Sequence, residues 1–265
     1  MYDFTYKKPG SIDDAIASHG AAEDPSYMSG GMTLLPTIKL RLAKPSDVID
    51  LAGIGGLDGI TVDGGAVTIG GMTRHAVVSA SNQVQEAIPA LAKLAGGIGD
   101  PHVRNRGTIG GSIANNDPAA DYPAAIVGLG ATVKTNKREI AGDDFFTNLF
   151  ETALEPGEIV TGVSFPVPDK AAYMKFPNPA SRYAIVGVFV SQGSGGVRVA
   201  VTGAGACVFR VAEMEQALTA NFSPDAVADL SIPDRDLNSD IHASAEYRAH
   251  LVTIMAKRAV AEANG

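Results

Sequence analysis

Cysteine is almost missing from this chain of 265 residues, and its scarcity excludes several kinds of site. Cys207 is the only cysteine. The chain can therefore form no internal disulfide, no iron–sulfur cluster and no cysteine zinc site of its own, because such sites need several thiolates. Cys207 lies in the apolar run 205–209, which predicts a strand with a buried thiol.

Basic residues and long apolar runs are also scarce. The 21 Lys and Arg residues are outnumbered by 29 Asp and Glu, for a net charge of −8. We expect no nucleic-acid partner, because binding to a phosphate backbone depends on Lys and Arg. No apolar run approaches the ~18 residues of a membrane-spanning helix, so no transmembrane segment is expected. The first residues have neither the basic nor the apolar region of a signal peptide, which predicts a cytoplasmic protein.

Well-known catalytic and nucleotide-binding motifs are missing too. The chain has no P-loop, no G-x-S-x-G elbow and no H-E-x-x-H motif, and its histidines lack metal-ligand spacing, so we expect no metal site. The glycine-rich run 53–59 is similar to a dinucleotide fingerprint, but its glycine spacing differs and a hairpin follows it where a helix is required. We interpret this run as a turn.

Glycine is abundant, with 30 residues, and two Gly-Gly segments stand out. The first is Ser29-Gly30-Gly31-Met32-Thr33-Leu34, between a predicted strand at 27–28 and a predicted helix over 33–41. The second is Thr108-Ile109-Gly110-Gly111-Ser112, within a polar loop predicted over 96–123. Glycine lets a backbone approach a ligand closely, and neighbouring N–H and hydroxyl groups can bind phosphate oxygens. The two segments together predict a clamp on an extended cofactor that carries phosphate.

The remaining pattern predicts two domains. Before residue 168, helices are predicted over 12–19, 73–79 and 82–95, and a hairpin pairs 60–62 with 66–69. The run Pro166-Val167-Pro168-Asp169 is the best candidate boundary. Beyond it, strands are predicted over 172–176, 183–190 and 197–201, followed by helices over 211–220 and 243–261.

The two glycine segments, with Lys39-Leu40-Arg41 and the run 99–107 that precedes the second, resemble the FAD-binding medium subunit of molybdenum hydroxylases. That family includes carbon monoxide dehydrogenase and the flavin domain of xanthine dehydrogenase. The resemblance covers nearly the whole chain. It implies an α+β fold with a PCMH-type FAD-binding domain, 1–168, of two subdomains, about 1–53 and 54–168. A C-terminal domain, 169–265, would hold a three-stranded antiparallel sheet and a helical bundle.

The resemblance also implies a non-covalent FAD site and no catalytic residue in this chain. The implied cofactor-binding residues are Ser29, Gly30, Gly31, Met32, Thr33, Leu34, Ile98, Thr108, Ile109, Gly110, Gly111, Ser112, Asp121, Val160, Lys175 and Tyr183. The family usually has Asn at the position of Ser112. Alternatives stay open: Asp117 and Asp121 as turn or cap carboxylates, Lys175 as a solvated strand residue, and Tyr183 as core packing.

The implied function is electron transfer. A large partner subunit with a molybdenum–pterin cofactor would hydroxylate the substrate, and [2Fe–2S] clusters of a small partner subunit would deliver the electrons to FAD in this chain. An external acceptor would then take them. The family assembly is a pair of heterotrimers, (αβγ)₂. A stand-alone PCMH-type flavin oxidoreductase and an assembly subunit that has lost FAD are the alternatives. We also expect Gly110→Val to block FAD binding by placing a branched side chain in pyrophosphate space.

Overall fold

A computed structural model describes residues 1–265 of the chain. The strands are β1 (Thr5–Lys7), β2 (Pro25–Met28), β3 (Asp47–Asp50), β4 (Ile60–Asp63), β5 (Ala66–Gly70), β6 (Thr132–Thr135), β7 (Glu139–Ala141), β8 (Phe146–Asn148), β9 (Glu151–Thr152), β10 (Val160–Pro166), β11 (Lys170–Pro177), β12 (Ala184–Gly193), β13 (Gly196–Thr202) and β14 (Phe209–Arg210). The helices are α1 (Ile12–Gly20), α2 (Leu34–Lys39), α3 (His75–Ala80), α4 (Asn82–Ala87), α5 (Pro89–Gly96), α6 (Pro101–Arg104), α7 (Ile109–Asn115), α8 (Tyr122–Leu129), α9 (Gly142–Phe145), α10 (Ala212–Ala220) and α11 (Ala245–Ala263). None of the helices combines the length and apolar character that crossing a membrane requires.

The N-terminal sheet is small and parallel, with strand order β1-β3-β2. Helix α1 begins after Ser11, whose Oγ accepts a hydrogen bond from Asp14 N at 3.1 Å and so satisfies a free N–H of the first turn. Ala15 of this helix packs with Ile49 of β3 in a small core. The first glycine segment leaves β2 at the carboxyl edge of the sheet, which is where parallel sheets commonly bind ligands.

The second sheet is antiparallel, with strand order β4-β5-β10-β6-β7. The predicted hairpin is confirmed: Asp63 pairs with Ala66, and the two turn residues Gly64 and Gly65 have φ of 57° and 78°. Such two-residue turns favour glycine because they require positive φ. Helices α3, α5, α7 and α8 contribute buried apolar residues to the core that this sheet forms. This core supports the second glycine segment.

The third sheet is antiparallel and lies between two sets of helices, with strand order β11-β12-β13-β14. Tyr173 and Phe189 belong to the core formed with α5 and α8, whereas Ala172 and Val188 belong to a separate core formed with α10 and α11. Strand β12 is therefore buried on both faces, as its unbroken apolar sequence requires. The α+β fold class is confirmed, with a short fourth strand beyond the three expected. The domain boundary at 168 stays a prediction.

The prediction of a long loop over 96–123 is wrong, because α6, α7 and the start of α8 lie within this stretch. Asp100 Oδ1 accepts a hydrogen bond from Val103 N at 2.9 Å, and Pro101 occupies the first helical position of α6. Thr108 caps α7 in the same way, through Gly111 N at 3.1 Å. Both caps are local signals that the sequence contains. Overall polarity made these short helices look like a loop.

Three smaller differences have local causes. The helix predicted over 82–95 breaks before Pro89, which has no N–H to continue the helical bonding. The helix predicted over 33–41 is only α2, Leu34–Lys39. Cys207 lies in a bend before β14 and is half-buried, so the predicted strand position is wrong. Burial raises the pKa of its thiol.

Candidate functional site

A cavity of about 510 Å³ is lined by residues from all three sheet regions. Cavities of this size hold small molecules and cofactors. Every residue predicted to bind the cofactor lines it except Ile109 and Lys175. The fold therefore brings together residues that are far apart in sequence, including both glycine segments.

The two glycine segments touch each other on the cavity wall. Ser29 Oγ and Thr108 Oγ1 share a hydrogen bond of 2.6 Å. A Cβ on Gly30 would overlap the backbone carbonyl of Arg106, and a Cβ on Gly111 would lie 3.2 Å from that of Ser29. Glycine is needed at Gly30 because a backbone passes where a side chain would stand. The segments form one continuous surface.

The first glycine segment presents unpaired backbone N–H groups. None of the N–H groups of residues 30–34 donates a hydrogen bond within the chain. Gly31 has φ of 73°, in the left-handed region that favours glycine. Successive unpaired N–H groups in such a turn create a local positive potential that attracts an anion. This stretch can bind phosphate oxygens although no lysine or arginine lies in it.

The second glycine segment has the backbone N–H groups of residues 109–112 paired within the protein. Ile109 N donates to Thr73 O at 3.1 Å, and Gly110 N donates to Gly71 O at 2.8 Å. The N–H groups of the next two residues, 111 and 112, bond to the hydroxyl and carbonyl oxygens of Thr108. The expectation that both segments offer free N–H groups is thus wrong for residues 109–112. It presents the hydroxyls of Thr108 and Ser112 and a flat glycine surface.

Two expectations about the second segment need correction. Ile109 is fully buried in the protein core and does not line the cavity. A Cβ on Gly110 would lie 2.6 Å from Gly71 O, so a larger residue would collide with the turn that follows β5. The expected direction of a Gly110→Val side chain, into pyrophosphate space, is therefore wrong. Gly110 permits close packing of α7.

Asp121 is a buried carboxylate in the cavity wall, only 4% exposed. Its Oδ1 accepts a hydrogen bond from Tyr173 Oη at 2.6 Å, and Lys175 Nζ lies 3.0 Å from the same oxygen. Burial raises the pKa of Asp121, while Lys175 and Tyr173 act in the opposite direction. Asp121 makes no helix-cap hydrogen bond, whereas Asp117 Oδ1 accepts a hydrogen bond from Ala119 N at 2.9 Å within a turn.

Lys175 lies behind Asp121 and does not line the cavity. Its side chain is 11% exposed, so it is not a solvated strand lysine. Besides Asp121, Nζ donates to the carbonyls of Gly97 at 2.8 Å and Arg182 at 3.0 Å. The contact of Lys175 with the cofactor stays a prediction.

Three further predicted residues line the cavity from separate elements. Tyr183 is 45% exposed at the rim, so it is not a core-packing residue. Burial and the nearby carboxylates of Asp117 and Asp121 raise the pKa of its phenol. Val160 is buried at the start of β10, and Ile98 is half-buried after α5. They give the cavity an apolar part beside the polar glycine segments.

Several lining residues were not predicted. The additional ones with polar or flexible side chains include Tyr27, Met72, His75, Glu158 and Arg182. His75 is 4% exposed, its Nδ1 has no hydrogen-bond partner, and burial, with the Arg104 charge, lowers its pKa to about 4. Another Gly-Gly pair, Gly70-Gly71, stands shortly before it and was the available signal.

Comparison with known proteins agrees with this geometry. Residues 2–168 match the family described as the FAD binding domain in molybdopterin dehydrogenase. The nicotine 6-hydroxylase medium subunit of Paenarthrobacter nicotinovorans is 35% identical, over 97% of this chain and 96% of that protein. The carbon monoxide dehydrogenase medium chain of Hydrogenophaga pseudoflava is 33% identical, over 97% and 96% of the two chains.

Solved structures have the same fold. Carbon monoxide dehydrogenase from Hydrogenophaga pseudoflava, in a form that lacks the Mo-pyranopterin moiety of the molybdenum cofactor, matches with a TM-score of 0.87 and 32% identity, covering 98% of this chain and 96% of that chain. Quinoline 2-oxidoreductase from Pseudomonas putida 86 matches with a TM-score of 0.88 and 27% identity, covering 98% and 96%.

The fold and the cavity together define an FAD-binding subunit of an oxidoreductase. Within that class, the chain belongs to the family of FAD-binding medium subunits of molybdenum hydroxylases. The family predicted from the two glycine segments is confirmed.

Proposed function

We propose that this chain holds FAD non-covalently and conducts electrons from a partner subunit to an external acceptor. The observation that carries the proposal is the row of unpaired N–H groups at residues 30–34, facing a cavity of about 510 Å³. The charged side chains that line this cavity are mainly the carboxylates of Asp117, Asp121 and Glu158. A pyrophosphate there needs backbone N–H groups, because these carboxylates repel it.

Each wall of the cavity has a role in this proposal. The N–H groups of residues 30–34 bind the pyrophosphate, and the hydroxyls of Ser29, Thr108 and Ser112 supply further hydrogen bonds. Asp121 accepts a hydrogen bond from the cofactor. An apolar surface for the flavin is formed by the side chains of two cavity-lining residues, Ile98 and Val160. Tyr183, exposed at the rim, lies between the flavin and solvent.

When bound, FAD supplies the redox chemistry, taking electrons from [2Fe–2S] clusters of a small partner subunit and yielding them to the acceptor. The protein needs no general base of its own for such a transfer, and His75, whose burial lowers its pKa to about 4, stays neutral at physiological pH. A large partner subunit with the molybdenum cofactor carries out the hydroxylation. We place the chain in an (αβγ)₂ assembly in the cytoplasm.

The first experiment is purification under native conditions with every chain that accompanies this one. The visible absorption spectrum is recorded, the cofactor released on denaturation is identified, and molybdenum and iron are measured. FAD in this chain, with both metals in associated chains, supports the proposal. Colourless protein that takes up no added FAD contradicts it.

The same preparation tests the stand-alone flavin oxidoreductase. FAD in a lone chain that turns over a substrate without partners would favour that alternative. Matched variants locate the site: Gly30→Ala should lose FAD, whereas Gly55→Ala should retain it, because a Cβ on Gly55 enters open space.

A further inference from the structure

Lys175 occupies a junction of three wall elements of the cavity without reaching the cavity itself. Its ammonium lies 3.0 Å from Asp121 Oδ1, 2.8 Å from Gly97 O and 3.0 Å from Arg182 O. An ammonium has three N–H donors, and here they meet acceptors on three residues: the carboxylate of Asp121, with Oδ2 at 3.2 Å, and the carbonyls of Gly97 and Arg182. The side chain is 11% exposed, so water replaces few of these bonds.

Each acceptor belongs to a different wall element of the cavity. Asp121 itself lines the cavity, Gly97 directly precedes Ile98, and Arg182 directly precedes Tyr183. Lys175 therefore sets the position of residues that line the cavity on separate sides. Its own strand, β11, belongs to the C-terminal sheet, whereas Gly97 and Asp121 belong to the N-terminal part of the chain.

The segment that carries Tyr183 is held both within its own loop and against another wall of the cavity. Arg182 N donates to Asn178 O at 2.8 Å, and Arg182 Nη1 donates to Gly99 O at 3.4 Å. Residues 178–183 form a loop closed by Asn178, whose N–H donates to Tyr183 O at 2.8 Å and whose Oδ1 accepts from Ala180 N at 2.9 Å. Arg182 has φ of 63°, a backbone conformation that is unfavourable for a residue other than glycine. Such a conformation persists only where surrounding contacts hold it, and Lys175 bonds the carbonyl of this residue.

We infer that Lys175 is a positioning residue that fixes the positions of Asp121, Ile98 and Tyr183 relative to one another, across the N-terminal and C-terminal parts of the chain. This inference rests on the proposed function for the identity of the ligand. Lys175 keeps the Asp121 carboxylate oriented and keeps the rim at Tyr183 closed over the bound cofactor. The C-terminal sheet thereby contributes to cofactor retention through one side chain that does not touch the cofactor.

The test compares Lys175→Ala with Lys170→Ala in the full-length chain. Lys170 is on the same strand and bonds only the exposed Asn264 Oδ1, at 2.6 Å, which makes it a matched control. Hydrogen exchange of the FAD-free chain is measured first. We expect exchange about tenfold faster or more, confined to the peptides covering 97–106 and 178–183, since hydrogen bonds to a charged group are the strong ones. The control should exchange like wild type.

FAD affinity and chemical rescue are measured next. Lys175→Ala should bind FAD about tenfold more weakly or worse, and propylammonium, which matches the deleted atoms, should restore both affinity and slow exchange. Lys175→Gln, which donates hydrogen bonds without charge, is prepared alongside. If the alanine variant does not fold, exchange and FAD affinity are compared between the glutamine variant and wild type, with the same expected direction.

The outcomes separate the inference from the proposed function. Unchanged exchange in both peptides, or faster exchange throughout the chain, overturns the positioning role. Weaker FAD binding with unchanged exchange and no rescue also overturns it, because it indicates a direct cofactor contact. Wild-type protein that binds no FAD contradicts the proposed function, whereas the exchange of the FAD-free variants still decides whether Lys175 holds the loops.

Discussion

The two Gly-Gly segments look alike in sequence and differ in what they do. Residues 30–34 keep their N–H groups unpaired and face a cavity. In residues 109–112 every N–H is paired inside the protein, and Gly110 permits α7 to pack against Gly71. A glycine pair can therefore mark a ligand-binding backbone or a tight packing contact. The partner of each N–H decides between them.

The largest effect is expected at the contact between the two segments. Gly30→Ala places a Cβ on the carbonyl of Arg106, which separates the segments and displaces the unpaired N–H groups. We expect FAD to bind about 100-fold more weakly, because several phosphate contacts move together. FAD titration followed by fluorescence measures this, with Gly55→Ala as the control. Equal affinity of Gly30→Ala and wild type would show that the first segment does not bind the cofactor.

The second prediction concerns His75, which packs beside the second segment. Its backbone N–H donates to Gly107 O at 3.0 Å. Burial lowers the pKa of His75 from 6.5 to about 4, so between these values the unfolded chain binds more protons than the folded one. The free energy of unfolding therefore falls by about 3 kcal/mol as the pH drops from above 6.5 toward 4, because the folded state keeps His75 neutral.

His75→Gln should remove that part of the pH dependence, as urea unfolding of the FAD-free protein at pH 7, 5.5 and 4.5 will show. His102→Gln, at an exposed position of α6, should retain the wild-type slope. A slope that His75→Gln leaves unchanged would mean that this histidine is not held neutral by the packing of the second segment.

The third prediction separates packing from binding. Gly110→Ala should destabilise the FAD-free protein by about 1–3 kcal/mol, because its Cβ meets Gly71 O, 2.6 Å away. Once folded, the variant should bind FAD within about tenfold of wild type, since the N–H of residue 110 is not a ligand. Gly20→Ala, at a helical glycine with open space, is the control for stability. Loss of FAD without loss of stability would reverse the role assigned to Gly110.

The smallest expected effects come from the two threonines. Thr108→Val removes a helix cap and the hydrogen bond to Ser29, at a cost of about 1 kcal/mol in the FAD-free protein. Thr33 makes no cap hydrogen bond, so Thr33→Val should change stability by less than about 0.5 kcal/mol. It should still weaken FAD binding about fivefold, through the lost hydroxyl. Urea unfolding and FAD titration of both variants test this contrast, and a stability loss at Thr33 larger than at Thr108 would contradict it.

Local signals predicted much of the fold. The Gly64-Gly65 turn, the amphipathic C-terminal helix and the strands after residue 170 were all readable because their causes lie within a few residues. Pro89 and the Asp100 and Thr108 caps are equally local signals: Pro89 marks a helix break, and the two caps mark short helices that average polarity does not reveal. The predicted site residues were placed from the family resemblance, and their roles with FAD stay predictions.

The sequence by itself determined the family, the class of cofactor and most of the elements, because close-range backbone preferences and the glycine motifs are written in adjacent residues. Only the tertiary structure decided which motif has free N–H groups, since the acceptor for Gly110 N is Gly71 O, in the turn after β5 and 39 positions away in sequence. It also decided that Lys175 lies behind Asp121, because three carbonyl and carboxylate acceptors converge on its ammonium from separate elements. Such long-range pairing depends on how the sheets pack, and no short stretch of sequence records it.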